Sequence, residues 1–278
     1  MTAHGLVKAA CLGASLIALT AAAPLAAWAQ ATPAPAAASA KAAPAKKKPA
    51  AAATAPKGVV EPGSVAALGK MSAYLRTLPA FEVRMAMQRD DVDIYGQLVT
   101  LNSEATYKVK LPNAFNISLA EGARTREYAY DGKSVVIYDP KTGYYARFDA
   151  PPTIRQTLDA AEAKYGVSVP LDDLFHWDQG DAQSSRLTSG HFVGSTRVDG
   201  QDADQYAFRQ PGVDWQIWIA KGAKPVPLRV VLVASDDPAR PQFEANLSWD
   251  TASQFAADTF VFTPPAGAKA IPIRTISP

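Results

Sequence analysis

The stretch YAYDGKSVVIYDPKTGYYARFDAPP, Tyr128 to Pro152, carries two turn signals and many aromatic rings but almost no side chain suited to chemistry. Asp131-Gly132 reads as a two-residue hairpin turn, because both residues tolerate the positive φ that matches the twist of flanking strands. DPKTG, Asp139 to Gly143, reads as a longer turn with Pro140 at its preset corner. Three short strands are therefore predicted. In the third, Tyr144, Ala146 and Phe148 point one way while Tyr145, Arg147 and Asp149 point the other, a period of two that buries one face and wets the other. Pro151-Pro152 ends the meander.

The pattern continues on both sides. Upstream, FEVRMAMQR, QLVTLNSEATYKVKLP and AFNISLAEG are strand-like runs with turn residues about every ten positions. Phe115, Ile117 and Leu119 alternate there with Asn116 and Ser118. Downstream, SGHFVGSTRVDGQDADQYAFRQ (with a turn at Asp199-Gly200), VDWQIWIAKG, PLRVVLVASD, PQFEANLSWD and TFVFTPP resume the strands. A leading helix is predicted from Pro62 to Leu78, because Leu68, Met71, Leu75 and Leu78 recur at helical spacing and Pro79 stops the pattern. A helical insertion follows the meander. Thr153 and Gln156 form a capping-box pattern, Ile154, Leu158, Ala161 and Tyr165 make one apolar stripe, and Gly166 suits a left-handed helix end. PLDDLFHW, from Pro170, reads as a second short helix. The plan is mostly β within the α+β class: an incomplete antiparallel barrel or strongly curved sheet of about 10–12 strands, with an N-terminal helix and a helical lid insertion on one face.

The N-terminus addresses the compartment. Lys8 precedes the apolar run AACLGASLIALTAAAPLAA, and Ala27 to Ala29 supply small residues around a cleavage point, so residues 1–29 read as a secretory signal peptide cut before Gln30. An uncleaved anchor is the competing reading, against which Pro24 and the small-residue exit weigh. Cys11, the single cysteine, lies near the start of that run and would be lost with it, leaving no disulfide and no thiolate site. Residues 30–57 are almost entirely Ala, Pro and Lys and read as an extended linker. With Lys8 and the five linker lysines set aside, 22 basic residues face 26 acids. The basic balance thus belongs to the tail, and residues 58–278, read as one domain, offer no basic surface for nucleic acid.

Motifs for catalysis or metals are weak. DGKS at Asp131 to Ser134 resembles the end of a phosphate-binding loop, but Glu127 stands where its first Gly belongs. DDVDIYG around Asp91 and Asp93 resembles the opening of a calcium loop, yet Tyr95 occupies a ligand position and Asn102 replaces the bidentate Glu. His176 has Asp178 and Asp181 nearby; beside a helix end, capping and packing explain it as well as a proton relay does. No catalytic residue, metal site or cofactor is assigned. Trp215 and Trp218 lie on opposite faces of one predicted strand, so both faces of the sheet need cover there.

These segments, above all VDWQIWIAKGAKPVPLRVVLV, together with PQFEANLSWD and FVFTPPAGAKAI, resemble the secreted family called domain of unknown function 2092 (DUF2092), over Val65 to Ile271. That family is similar in layout to periplasmic lipoprotein carriers and receptors of the Lol type, an incomplete antiparallel barrel closed by helices that holds acyl chains. The resemblance implies a periplasmic binding protein for an acyl lipid or lipoprotein, with Leu75, Leu78, Phe115, Ile117, Tyr144, Phe148, Leu158, Leu174, Phe175 and Trp215 as an apolar cavity and lid. A monomer is expected, and not an enzyme, since no catalytic constellation is found. The alternatives are a periplasmic sensor of the same fold that binds an envelope protein partner, and an envelope hydrolase using His176.

Overall fold

The computed structural model describes residues 58–171 and 184–276. Helix α1 (Pro62–Thr77) is followed by β1 (Ala80–Val92), β2 (Leu98–Lys110), β3 (Ala114–Glu121), β4 (Arg124–Tyr130), β5 (Ser134–Asp139) and β6 (Tyr144–Asp149). Then come helix α2 (Ile154–Tyr165), a 3-10 turn (Ser184–Arg186), and β7 (Ser189–Val198), β8 (Gln201–Gln210), β9 (Val213–Ala220), β10 (Pro227–Ala234), β11 (Gln242–Asp250) and β12 (Lys269–Ala270). The strands form one sheet in the order β12-β6-β5-β4-β3-β2-β1-β11-β10-β9-β8-β7. Two meanders, β1–β6 and β7–β11, are fused where β1 pairs antiparallel with β11, Val83 opposite Trp249 and Met87 opposite Ala245. β12 adds to β6 in parallel and β7 forms the other edge, so the sheet is open.

Alternation places one apolar side chain per two residues on the inner face. Phe148, Val135, Tyr130, Phe115, Val109 and Phe81 sit side by side across successive strands, as do Phe243, Leu232, Trp215 and Phe208 in the other half. All of them are buried. Helix α1 crosses this face. Its N-terminal side is tied to the β7 edge, where the Glu61 N–H donates to the Gly190 carbonyl at 2.7 Å. Its last turn reaches β2 and β3 through Leu75 and Leu78. Seven inter-strand steps separate β3 from β7, about 34 Å if flat, whereas sixteen helical residues span about 24 Å. The sheet therefore curls around the helix. Gly190 sits where the helix comes nearest the edge: a Cβ there would lie 2.8 Å from the Phe208 ring and 3.1 Å from Ser64 Oγ.

The turns follow local chemistry with one adjustment. Asp199 (φ 48°) and Gly200 (φ 79°) form the two-residue turn that the sequence predicts. The Asp131-Gly132 turn is instead three residues long, Asp131 to Lys133, because Asp131 Oδ1 accepts from the Lys133 and Ser134 N–H groups and organises the loop itself. Asp93 does the same in the β1–β2 hairpin, its Oδ1 accepting from the Tyr95 and Gln97 N–H groups. Asp91 pairs with the buried Arg89. The acidic run that resembles a calcium loop is thus a hairpin tip whose carboxylates serve the chain.

TFVFTPP does not form the predicted strand. Residues 257–260 form local turns, with the Thr259 N–H donating to the Ala256 carbonyl and the Val261 N–H to the Asp258 carbonyl, and residues 261–265 run on without regular structure. Phe262 lies against Tyr138 and Tyr145 on the outer face of β5 and β6, and Phe260 is buried against Phe255. The β-prone residues thus act as apolar anchors that cover the outer face, and the last strand forms later, at Lys269–Ala270. The predicted short helix from Pro170 falls largely outside the described residues.

On the β8–β9 hairpin, Arg209 donates to Asp214 through two nitrogens, at 2.6 and 3.0 Å, and Arg240 adds a contact at 3.4 Å. The Arg209 hydrogen bond holds the Asp214 carboxyl below its usual range, against the opposing effect of partial burial. A depressed folded value gives stability that is fully present above the unfolded value of about 3.9 and is lost as pH falls through the folded value. Asp214→Asn should accordingly lower the unfolding midpoint at pH 7, with the gap to the parent closing below about pH 4. Urea melts from pH 7 to pH 2 check this; a gap that persists unchanged at the acid end would refute it.

Candidate functional site

Where the apolar stripes of α1 and α2 meet over β2 and β3, the side chains stand around a space instead of filling it. The cavity is about 660 Å³. Leu75 of α1 and Leu78 just past its end, Tyr107 and Val109 of β2, Phe115 and Ile117 of β3, Ile154 and Leu158 of α2, and Val169 line it. Register explains the floor: Val109 lies opposite Phe115 and Tyr107 opposite Ile117, so four inward side chains form one apolar square. Exposed Arg76, Thr77, Pro79, Pro112 and Arg155 surround its mouth.

The second wall is held in place by hydrogen bonds that the sequence encodes locally. Thr153 caps α2, its Oγ1 accepting from the Gln156 N–H at 3.3 Å, and Gly166 ends the helix at φ 64°. The Ile154 N–H donates to the Pro112 carbonyl at 3.0 Å, which joins α2 to the β2–β3 turn. Thr157 Oγ1 and the Tyr130 hydroxyl both donate to the Pro151 carbonyl. Burial holds the Tyr130 phenol above its usual range, so it remains a donor. The Tyr107 hydroxyl donates to the Pro170 carbonyl at 2.8 Å and closes the far side.

One polar atom of the lining is buried without a hydrogen-bond partner among the described residues. Ser72 lies one turn before Arg76 on α1, is 4 % exposed, lines the cavity, and its Oγ has no hydrogen-bond partner among the described residues. A buried hydroxyl without a partner costs free energy, so a native structure that keeps one invites an explanation.

Of the residues expected to line a cavity, Leu75, Leu78, Phe115, Ile117 and Leu158 are brought together. Phe148 is buried beside them, but its ring packs on Tyr165 at 4.6 Å. Trp215 is core of the other half-sheet, stacked on Phe208 at 4.3 Å. Tyr144 stands 43 % exposed beside β12. Leu174 and Phe175, with His176, lie outside the described residues. Sequence reasoning missed Tyr107 and Val109, although their alternation with Lys108 signals an inward face. It also missed Ser72, Arg76 and Arg155, for which no local signal exists, because their meeting at one cavity depends on how two helices land on the sheet. Among the described residues no three His, Cys, Asp or Glu side chains gather in a metal-binding arrangement.

A profile of the family described as "Predicted periplasmic protein (DUF2092)" matches residues 64–274. No curated protein sequence matches the chain. Among solved structures it is similar to the lipoprotein LppX of Mycobacterium tuberculosis, at 11% identity over 70% of this chain and 98% of that one with a TM-score of 0.39. LprF of Mycobacterium bovis aligns at 14% identity over 76% and 100% of the two chains, TM-score 0.42. MucB in complex with MucA(peri) aligns at 14% over 72% and 60%, TM-score 0.38.

Proposed function

We propose that this chain, which belongs to the DUF2092 family of periplasmic proteins, is a binding protein that holds acyl chains in the cavity between α1, α2 and strands β2 and β3. The observation that carries this reading is the cavity itself. Ligand sites are commonly about 300–1,000 Å³ with mostly apolar walls and few polar groups, and this space, of about 660 Å³, is walled by Leu75, Leu78, Val109, Phe115, Ile117, Ile154 and Leu158. Each buried methylene contributes about 0.8 kcal/mol, so ten contribute about 8 kcal/mol, enough to offset much of an association cost of about 4–15 kcal/mol. No charged reactive group is needed for such a role, and no catalytic one is assigned. Cleavage before Gln30 belongs to the same reading and delivers residues 30–278 to the periplasm; N-terminal sequencing of the envelope protein tests it.

The decisive experiment is native mass spectrometry of the protein isolated gently from its own envelope, followed by titration of the lipid-free form with a fluorescent fatty-acyl probe. Co-purified acyl lipid and saturable probe binding are expected. Unchanged probe fluorescence at high protein concentration, with no co-purified lipid, would sink the reading.

A further inference from the structure

Resting on that acyl-binding reading, we propose that the ligand is an acyl ester with an anionic head: the chain fills the cavity, its ester carbonyl accepts a hydrogen bond from Ser72 Oγ, and its phosphate lies at the mouth between Arg76 and Arg155. Three independent features converge on one polar axis. Ser72 is a buried donor with no partner among the described residues, set within mostly apolar walls. An acyl chain alone leaves it unsatisfied, whereas a carbonyl at that depth satisfies it. Arg76 follows Ser72 by four residues on α1, so it lies about 6 Å further along the helix and on the same face. That places cation and hydroxyl in the order in which a glycerophospholipid presents phosphate and first ester carbonyl, with the glycerol unit between them.

Arg155 faces the same mouth from α2. It sits in the first turn of that helix, which contains no acid, and the turn itself, Thr153 to Arg155, lines the opening. The helix dipole there favours an anion, and two guanidinium groups suit phosphate geometry. Among the described residues Asp159 is a counter-charge of Arg155. The pair is 3.9 Å apart and nearly half exposed on both sides, a solvated contact that yields readily to a phosphate. A lipoprotein's diacylglyceryl anchor carries no such negative group, so the mouth distinguishes phosphate-bearing glycerolipids from lipidated proteins.

The test uses three C16 competitors against the acyl probe: palmitoyl lysophosphatidic acid, monopalmitoylglycerol and the hexadecyl ether phosphate. The charged ester should bind at least about 10-fold tighter than the neutral ester, and Arg76→Gln with Arg155→Gln should shrink that preference to about 2-fold. Ser72→Ala should weaken the ester phosphate about 5-fold, leave the ether phosphate unchanged, and not lower the melting temperature of the ligand-free protein, because it removes an unsatisfied buried hydroxyl. Equal affinity of charged and neutral esters would overturn the headgroup inference while leaving acyl binding intact. Equal weakening of ester and ether by Ser72→Ala would overturn the role of the hydroxyl. Failure of all three competitors and of the probe would overturn the acyl reading itself.

Discussion

Phe81→Ala is expected to cost about 3–5 kcal/mol of unfolding free energy, whereas Leu158→Ala, also buried, should cost about 1 kcal/mol or less. Phe81 is 1 % exposed at the start of β1, beside Val109 in the neighbouring strand and against the Trp249 ring at 5.4 Å. Trp249 is itself fixed, its Nε1 donating to the Pro227 carbonyl at 2.7 Å, so little can move into the vacated space. The loss of transfer energy and the new cavity then add in full. Since domains are stable by about 5–15 kcal/mol, this one change removes a large part of the total. Leu158 is 8 % exposed but faces a space already empty on one side, so truncation removes fewer dispersion contacts than a core leucine would lose. In a dry core the same change costs about 2–5 kcal/mol. Paired urea denaturation of the two variants compares them; a loss at Leu158 equal to that at Phe81 would mean that the space over β2 and β3 is filled in solution.

Leu158→Trp should weaken acyl uptake more than tenfold while leaving the protein folded. The indole would project from α2 into the cavity and take the room of about two methylenes. At about 0.8 kcal/mol each, that is about 1.6 kcal/mol, or a factor of about 15 in affinity. Because the added volume enters existing space, the usual penalty of about 1–3 kcal/mol for overpacking a full core should not apply. Probe titration and thermal melting of the same sample read both quantities. Undiminished binding by a folded Leu158→Trp protein would place the acyl chain elsewhere.

Much of the cavity's material was legible before its shape. Leu68, Met71, Leu75 and Leu78 announce a helix with one apolar face, and Phe115 and Ile117 announce a strand with one, because each pattern needs only neighbours within a turn or a pleat. Thr153 and Gly166 bound α2 for equally local reasons. The same logic misread TFVFTPP. Alternation and β-propensity describe residues that suit a half-buried surface, and Phe260 and Phe262 occupy such a surface by packing from outside the sheet. Trp215 lies apart from this cavity for a related reason: an inward aromatic ring identifies a face, and the face of a 12-stranded sheet is wide enough to hold both core and cavity.

The sequence by itself determined β1 to β11, helices α1 and α2 with their ends, the turn at Asp199-Gly200 and membership of the family, since each is written in contiguous residues. The tertiary structure alone decided that β1 and β11 fuse two meanders into one sheet, and that α1, anchored at Gly190, spans a sheet curled around it. It also decided that Ser72, Arg76 and Arg155 share one opening with Leu75, Leu78, Phe115, Ile117 and Leu158. The physical reason is range. Hydrogen bonds and side-chain periodicity act over a few residues and leave their mark in order, whereas a cavity is the volume left when two helices meet a curved sheet, and no segment records what its partners fail to fill.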